Sequence, residues 1–176
     1  MSVQAQRRIV LTGFMGAGKT TIAAALARQL NCRAIDLDEI ISQHEKRSVP
    51  ALITEDGEAQ FRATETRILR IILENKTASI IALGGGAWTL AQNRALLAAH
   101  DCLTVWLDAP FELCWRRIIN AEDARPLARN LESARRLYDE RRPLYELAAL
   151  RVSIDADKSA DDAAAEIIRA LRRIDA

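Results

Sequence analysis

Residues 13–21 read GFMGAGKTT and match the phosphate-binding pattern G-x-x-x-x-G-K-[ST]. The apolar run 7–13 before them predicts a strand, and residues 19–30 after them carry apolar side chains at helical spacing. A glycine-rich turn between a strand and a helix aims backbone N–H groups at a phosphate, and the helix N-terminus adds partial positive charge. The motif therefore predicts nucleotide binding by Gly16, Ala17, Gly18, Lys19, Thr20 and Thr21.

Two side chains of this motif carry the phosphate chemistry. We expect Lys19 to reach the β- and γ-phosphates, and the Thr20 hydroxyl to offer a ligand to Mg²⁺. GTPases share this loop but usually recognise guanine with an [NT]-K-x-D sequence. The similar stretch at residues 75–78, NKTA, lacks the aspartate, which disfavours a GTPase.

Strand-like and helical patterns alternate along the chain. The predicted strands are 7–13, 32–36, 79–84, 102–108 and 150–155. The predicted helices are 19–30, 58–74, about 90–99, one opened by Ala109-Pro110, 131–142 and 159–174. This alternation predicts an α/β fold, a parallel sheet with helices on both faces. The length of 176 residues suits one domain, 1–176, in which 43–57 and 120–130 are predicted surface loops of a kind that often binds ligands.

Composition limits the classes of partner. The formal net charge of +1 gives no support for a nucleic-acid or membrane-surface protein, and no apolar run is long enough to span a membrane. The N-terminal stretch MSVQAQRRIV has no apolar signal core. The three cysteines form no Cys-x-x-Cys pair, which is typical of reduced thiols. We therefore expect a cytoplasmic protein without nucleic-acid or membrane partners.

Asp36 and Asp38 close the second predicted strand and leave two interpretations open. If the strand continues through them, both carboxylates point to one face, with Leu37 opposite. At the carboxyl edge of a parallel sheet, where ligands bind, the two carboxylates could bind Mg²⁺ and contact an acceptor hydroxyl. Alternatively, Asp38 caps a helix that starts at Glu39.

Other polar motifs follow the predicted strands and helices. Arg62 lies at a helix start in GEAQFRATE, residues 57–65, where a guanidinium can hold a carboxylate through two hydrogen bonds. The glycines of 84–86 follow a strand and allow a ligand to approach the backbone. Arg125 lies in a polar loop and could stabilise charge over a triphosphate, while Arg141 ends a helix. Each of these alone is more typical of a surface residue or a turn.

Together, the motifs GFMGAGKTT, DLD, GExxFRxxE, GGGA, RPL and RxPLY resemble shikimate kinases from about Ile9 to Leu171. The resemblance implies a P-loop fold like that of nucleoside-monophosphate kinases, with a five-stranded parallel sheet of order 2-3-1-4-5 and a mobile lid. It implies ATP- and Mg²⁺-dependent phosphorylation of the 3-hydroxyl of shikimate, a step towards chorismate and the aromatic amino acids. The implied substrate-binding segment is about 38–66, and the implied lid is about 118–131.

On the substrate side, the resemblance assigns Asp38 as the base that also binds the shikimate hydroxyls, and Asp36 as the residue that acts on Mg²⁺ with Thr20. Arg62 and Arg141 match the arginines on the shikimate carboxylate. The loop Gly84, Gly85 and Gly86 matches the backbone substrate contact, centred on Gly85.

On the nucleotide side, Arg125 matches a catalytic lid arginine on ATP. Arg117 falls where the family packs an arginine on adenine, and Lys158 lies in a late loop beside adenine. The chain departs from the family pattern at Trp88, where smaller residues are common, at Ala128 after RPL, and within residues 45–48. A kinase for another polyol acid such as gluconate, or a regulatory homologue without catalysis, are the alternatives. A monomer is expected because no partner-binding stripe stands out.

Overall fold

The computed structural model describes residues 7–121 and 129–174. Its strands form one parallel sheet of order β2-β3-β1-β4-β5, which confirms the order that the resemblance implies. The strands are β1 (Ile9–Thr12), β2 (Ala34–Asp36), β3 (Ile80–Ala82), β4 (Leu103–Asp108) and β5 (Leu150–Ser153). In the centre of the sheet, Ile9 of β1 lies level with Ile80 on one side and Leu103 on the other.

The helices of the described residues connect and cover these strands. They are α1 (Lys19–Leu30), α2 (Leu37–Glu45), α3 (Val49–Asp56), α4 (Glu58–Glu74), α5 (Ala91–Ala99), α6 (Phe111–Ile119), α7 (Leu131–Tyr145) and α8 (Ala160–Ile174). A short 3₁₀ turn spans Ala87–Thr89. Every residue of β3 and β4 is buried. Because successive strand residues face opposite sides, the sheet is covered on both faces, as the sequence predicts.

Residues 43–57 differ from their prediction as a surface loop. The end of α2 and the whole of α3 lie there, so that prediction was wrong. The Ser48 side chain caps α3 by accepting a hydrogen bond from the Ala51 N–H, at 3.3 Å, and Pro50 lies in the first turn. Gly57, at φ +87°, ends α3 and precedes α4. A serine at an N-cap followed by a proline in the first turn is a signal for the start of a helix. A short helix could therefore have been predicted at this position from the sequence.

The predicted strand 32–36 ends at Asp36, as β2 does in the structure, and it does not continue through Asp38. Asp36 is the last residue of β2 and the N-cap of α2, and its side chain accepts hydrogen bonds from the Asp38 and Glu39 N–H groups. The helix therefore begins at Leu37, and the alternative in which Asp38 is the cap was wrong. Within 7–121 and 129–174, no helix combines the length and the apolarity that a membrane span requires.

Candidate active site

A cavity of about 820 Å³ is lined by residues from the phosphate loop, β2, α2, α3, α4, the glycine loop and α7. Most of the predicted site residues meet there: Gly16, Gly18, Lys19, Thr20, Thr21, Asp36, Asp38, Arg62, Gly84, Gly85, Gly86 and Arg141. These residues are far apart in sequence, and the parallel sheet brings their elements to one edge. Residues 48–50 and Ile53 of the helical 43–57 segment add a further wall.

The phosphate loop between β1 and α1 has the backbone that its glycines predict. Gly16 has φ +80°, and a Cβ built on it would lie 2.7 Å from the Cys114 carbonyl oxygen, so a larger residue would both strain and displace the loop. Gly18, at φ +95°, is the N-cap of α1. The Lys19 ammonium donates to the carbonyl oxygens of Gly13, at 2.8 Å, and Phe14, at 2.9 Å. The lysine thus lies folded over its own loop at the start of the helix.

Thr20 and Asp36 offer hard oxygen ligands beside this loop. The Thr20 hydroxyl donates to Asp36 Oδ2, while Asp36 Oδ1 accepts from the Asp38 N–H at 2.9 Å. In the described ranges, no group of three or more His, Cys, Asp or Glu side chains is arranged to hold a metal ion. A hydroxyl and a carboxylate fit Mg²⁺, which prefers oxygen ligands and usually completes its shell with water and substrate phosphates.

Arg62 and Glu65 form a largely buried ion pair on α4. The Arg62 Nη1 lies 2.8 Å from Glu65 Oε2 and 3.0 Å from Oε1, and the Glu65 side chain is 0% exposed. Burial raises the pKa of Glu65 to about 7. The guanidinium groups of Arg62 and, more weakly, Arg141 oppose this rise, whereas the Asp38 carboxylate adds to it. Arg141 itself is buried in α7. Four charged groups from α2, α4 and α7 therefore influence one another at the cavity.

The glycine loop makes room for these charged side chains. A Cβ on Gly84 would lie 2.6 Å from Asp38 Oδ1 and 3.1 Å from Glu65 Oε1. A Cβ on Gly86 would lie 2.1 Å from Arg62 Nη2, although Gly86 has an ordinary φ of −103°. Thus two of the three glycines make room for the protein's own carboxylates and guanidinium, a reason for glycine that the sequence pattern does not indicate.

Some predicted residues lie elsewhere. Ala17, Arg117 and Lys158 are not among the described residues that line the cavity. Ala17 is fully buried, Arg117 Nη1 donates to the Gly16 carbonyl at 2.8 Å, and the Lys158 ammonium contacts Ser153 O and Glu166. The Lys158 N–H donates to Asp155 Oδ1 at 2.8 Å. Arg125 and half of the predicted lid, residues 122–128 of 118–131, lie outside the described residues.

Two residues of the site were not assigned from the sequence. Glu65 belongs to the motif GExxFRxxE, but its sequence assignment did not include a role as the ion-pair partner of Arg62. The signal for that pair is its position three residues after Arg62, about one helical turn away. Tyr145 is buried, and its hydroxyl donates to the Gly85 carbonyl at 2.6 Å. Nothing local in RRPLY indicates this long-range bond, because it joins residues 60 positions apart.

Comparisons with known proteins agree with this geometry. A family model described as shikimate kinase matches residues 15–172. A shikimate kinase of Ruegeria pomeroyi is 36% identical over 94% of this chain and 85% of its own length, and one of Salinibacter ruber is 36% identical over 92% and 82%.

Solved structures give the same result. A shikimate kinase from Acinetobacter baumannii, in complex with shikimate, superposes with a TM-score of 0.86 at 32% identity, covering 97% of this chain and 96% of that one. The Aquifex aeolicus enzyme gives 0.80 at 31% identity, covering 96% and 98%. A gluconokinase from Sinorhizobium meliloti, at 18% identity and a TM-score of 0.56, shares the fold alone. A matching family model over most of the chain, relatives above 30% identity and a cavity with the family's motifs lead to one assignment: this chain belongs to the shikimate kinase family.

Proposed function

We propose that this protein transfers the γ-phosphoryl group of ATP to the 3-hydroxyl of shikimate, giving shikimate 3-phosphate and ADP. The observation that carries the proposal is that a phosphate loop, a carboxylate and two buried or half-buried arginines line one cavity. A phosphate loop selects a nucleotide, whereas the arginines Arg62 and Arg141 select an acid. A solved relative that contains shikimate supports this choice of acid.

Most parts of the proposed reaction have a group that lines this cavity. Arg62 and Arg141 hold the carboxylate of the substrate and fix its orientation, so that one hydroxyl faces the phosphate loop. Asp38 accepts the proton of that hydroxyl as the oxygen attacks phosphorus. Lys19 leaves its loop carbonyls to bind the phosphates, and Arg125, outside the described residues, is proposed to stabilise the transferred charge.

Thr20 and Asp36 are proposed to hold Mg²⁺, directly or through water. When bound, this ion would neutralise charge on the β- and γ-phosphates. Asp36 already accepts a hydrogen bond from the Thr20 hydroxyl, so the two ligand oxygens are next to each other before any ion binds.

Arg117 and Lys158 are proposed to contact the adenine end of ATP. We further propose that the protein acts as a cytoplasmic monomer with no nucleic-acid or membrane partner, consisting of a single domain.

The test measures ADP release with ATP and Mg²⁺, with shikimate, gluconate or no acid added. We expect release that depends on shikimate, and its loss in Asp38→Asn while ATP binding stays close to that of the wild type. Asp38→Asn keeps the size of the side chain and removes the base, so turnover is the quantity that falls. Release that depends on gluconate instead would move the function to another acid, and wild-type turnover in Asp38→Asn would refute the role of Asp38.

A further inference from the structure

Trp88 lies two residues after the glycine loop, in the short 3₁₀ turn at 87–89. Its side chain is buried, with 4% of the residue exposed, and it does not line the cavity within the described residues. The indole Nε1–H donates to the Leu144 carbonyl oxygen at 2.7 Å. Leu144 lies in the last turn of α7, three residues after Arg141. The tryptophan therefore joins the glycine loop to the helix that carries one of the two acid-binding arginines.

A second hydrogen bond joins the same two elements in the opposite direction. The Tyr145 hydroxyl, on α7, donates to the Gly85 carbonyl at 2.6 Å. Tyr145 lies four residues after Arg141, so both side chains are on one face of the helix. Burial raises the pKa of the Tyr145 hydroxyl, and the nearby Arg141 guanidinium opposes that rise. The glycine loop and Arg141 are thus connected through the end of α7.

The same turn is bonded to α4 on its other side. The buried Asn93 donates from Nδ2 to the Ala87 carbonyl at 2.9 Å, and its Oδ1 accepts from the Thr66 hydroxyl at 2.8 Å. Thr66 follows Glu65 on α4. Arg94 Nη1 donates to the carbonyls of Trp88 and Thr89, each at 2.8 Å. A hydrogen-bonded path therefore leads from the helix of Arg62 to the helix of Arg141 through Trp88.

The end of α7 has a particular need for such bonds. Pro143 lies inside the helix, between Arg141 and Leu144. Because proline has no N–H, the helix lacks one hydrogen bond in this turn, and its ring crowds the preceding turn. Leu144 O also accepts from the Leu147 N–H, but at 3.2 Å, a longer contact than the one from Trp88. A bond from outside the helix thus supports a turn that is intrinsically weak.

We propose that Trp88 is a positioning residue that holds Arg141 opposite Arg62 and so sets the preference of this enzyme for a substrate with a carboxylate. This inference rests on the proposed function. The indole does not touch the substrate. It acts through its hydrogen bond to Leu144, which lies in the same last turn of α7 as Arg141. Loss of its hydrogen bond lets Arg141 take up positions in which it no longer meets the carboxylate with its partner arginine.

The experiment compares Trp88→Phe, which keeps an aromatic ring and removes the N–H donor, with Trp115→Phe as a control. Trp115 stacks on Phe111 in α6, away from the acid-binding residues. We expect Trp88→Phe to raise the KM for shikimate about tenfold, a change of about 1.4 kcal/mol in binding, with the KM for ATP unchanged and kcat within about twofold. Trp115→Phe is expected to leave the KM for shikimate at its wild-type value.

A second readout separates positioning from a general loss of structure. Binding of shikimate and of its neutral carboxamide analogue is measured by calorimetry for each protein. If Trp88 acts through Arg141, the preference for the acid over the carboxamide falls about tenfold in Trp88→Phe. An equal loss for both ligands, or an unchanged KM for shikimate, overturns the inference.

Tyr145→Phe, which removes only the hydroxyl bonded to Gly85, is the second variant and is expected to change the same preference. Wild-type protein that releases no ADP with shikimate would overturn the proposed function itself.

Discussion

Glu65 gives the protein a stability that depends on pH. Its side chain is 0% exposed, and the charged groups that face it are Arg62 on its own helix, Asp38 on α2 and Arg141 on α7. Burial raises the pKa of Glu65 from 4.5 to about 7, even though Arg62 lies within 3.0 Å. The folded protein therefore binds a proton at this position more tightly than the unfolded chain does.

The sign and size of the effect follow from this difference. The stabilisation from the bound proton is fully present below about pH 4.5 and is lost as the pH rises through about pH 7. At about 1.4 kcal/mol for each tenfold change in proton affinity, the whole change in unfolding free energy is about 3 kcal/mol. For a chain of this size, that corresponds to a fall in Tm of about 6–12 °C across the window.

Glu65→Gln removes this titration and keeps the shape of the side chain. We expect thermal or urea unfolding at a series of pH values to show that the variant gains about 3 kcal/mol relative to the wild type between about pH 4.5 and about pH 8. The control is Glu58→Gln, since Glu58 contacts the same guanidinium at 3.5 Å from a half-exposed position. A difference between wild type and Glu65→Gln that stays constant with pH would refute the reasoning, because Glu65 would then be ionised throughout.

Two further predictions concern packing and reactivity. Gly86→Ala is expected to raise the KM for shikimate at least tenfold and to leave the KM for ATP unchanged in steady-state assays, because the new Cβ would occupy the place of the Arg62 guanidinium. Burial raises the pKa of all three thiols, that of Cys114 to about 11, but Cys102 and Cys114 are buried and Cys32 is partly exposed. A thiol reagent at about pH 8 is therefore expected to modify Cys32 first, and all three cysteines only after unfolding.

The sequence was sufficient for the elements whose signals are local. The phosphate loop lies between its predicted strand and helix because glycines at positive φ and the following helix residues are adjacent in the chain. The apolar strands were also found, although each is shorter in the structure than its apolar run. The order of the strands came from the family resemblance, since apolar patterns alone do not say which strands are neighbours.

Residues 43–57 show why local patterns can fail. Their charged side chains and their Pro and Gly favoured a loop. In the structure, however, α3 is stabilised by its Ser48 cap and by ion pairs between residues that are distant in sequence. Arg47 pairs with Glu55, at 2.9 Å, and with Asp56, at 2.6 Å, so it joins the approach to α3 to the end of that helix. Such pairs connect positions eight and nine residues apart, beyond the reach of helical periodicity.

The glycine loop shows that glycine can be needed for a reason that its sequence pattern does not indicate. From sequence, three glycines indicate that a ligand approaches the backbone. In the structure, Gly84 lies against Asp38 and Glu65, and Gly86 lies against Arg62. A side chain at either position would displace a charged group before it met any ligand. On the proposed function, the glycines would act on the substrate mainly through the charged groups that they admit. Substitutions there are therefore expected to alter the affinity for the acid more than that for ATP.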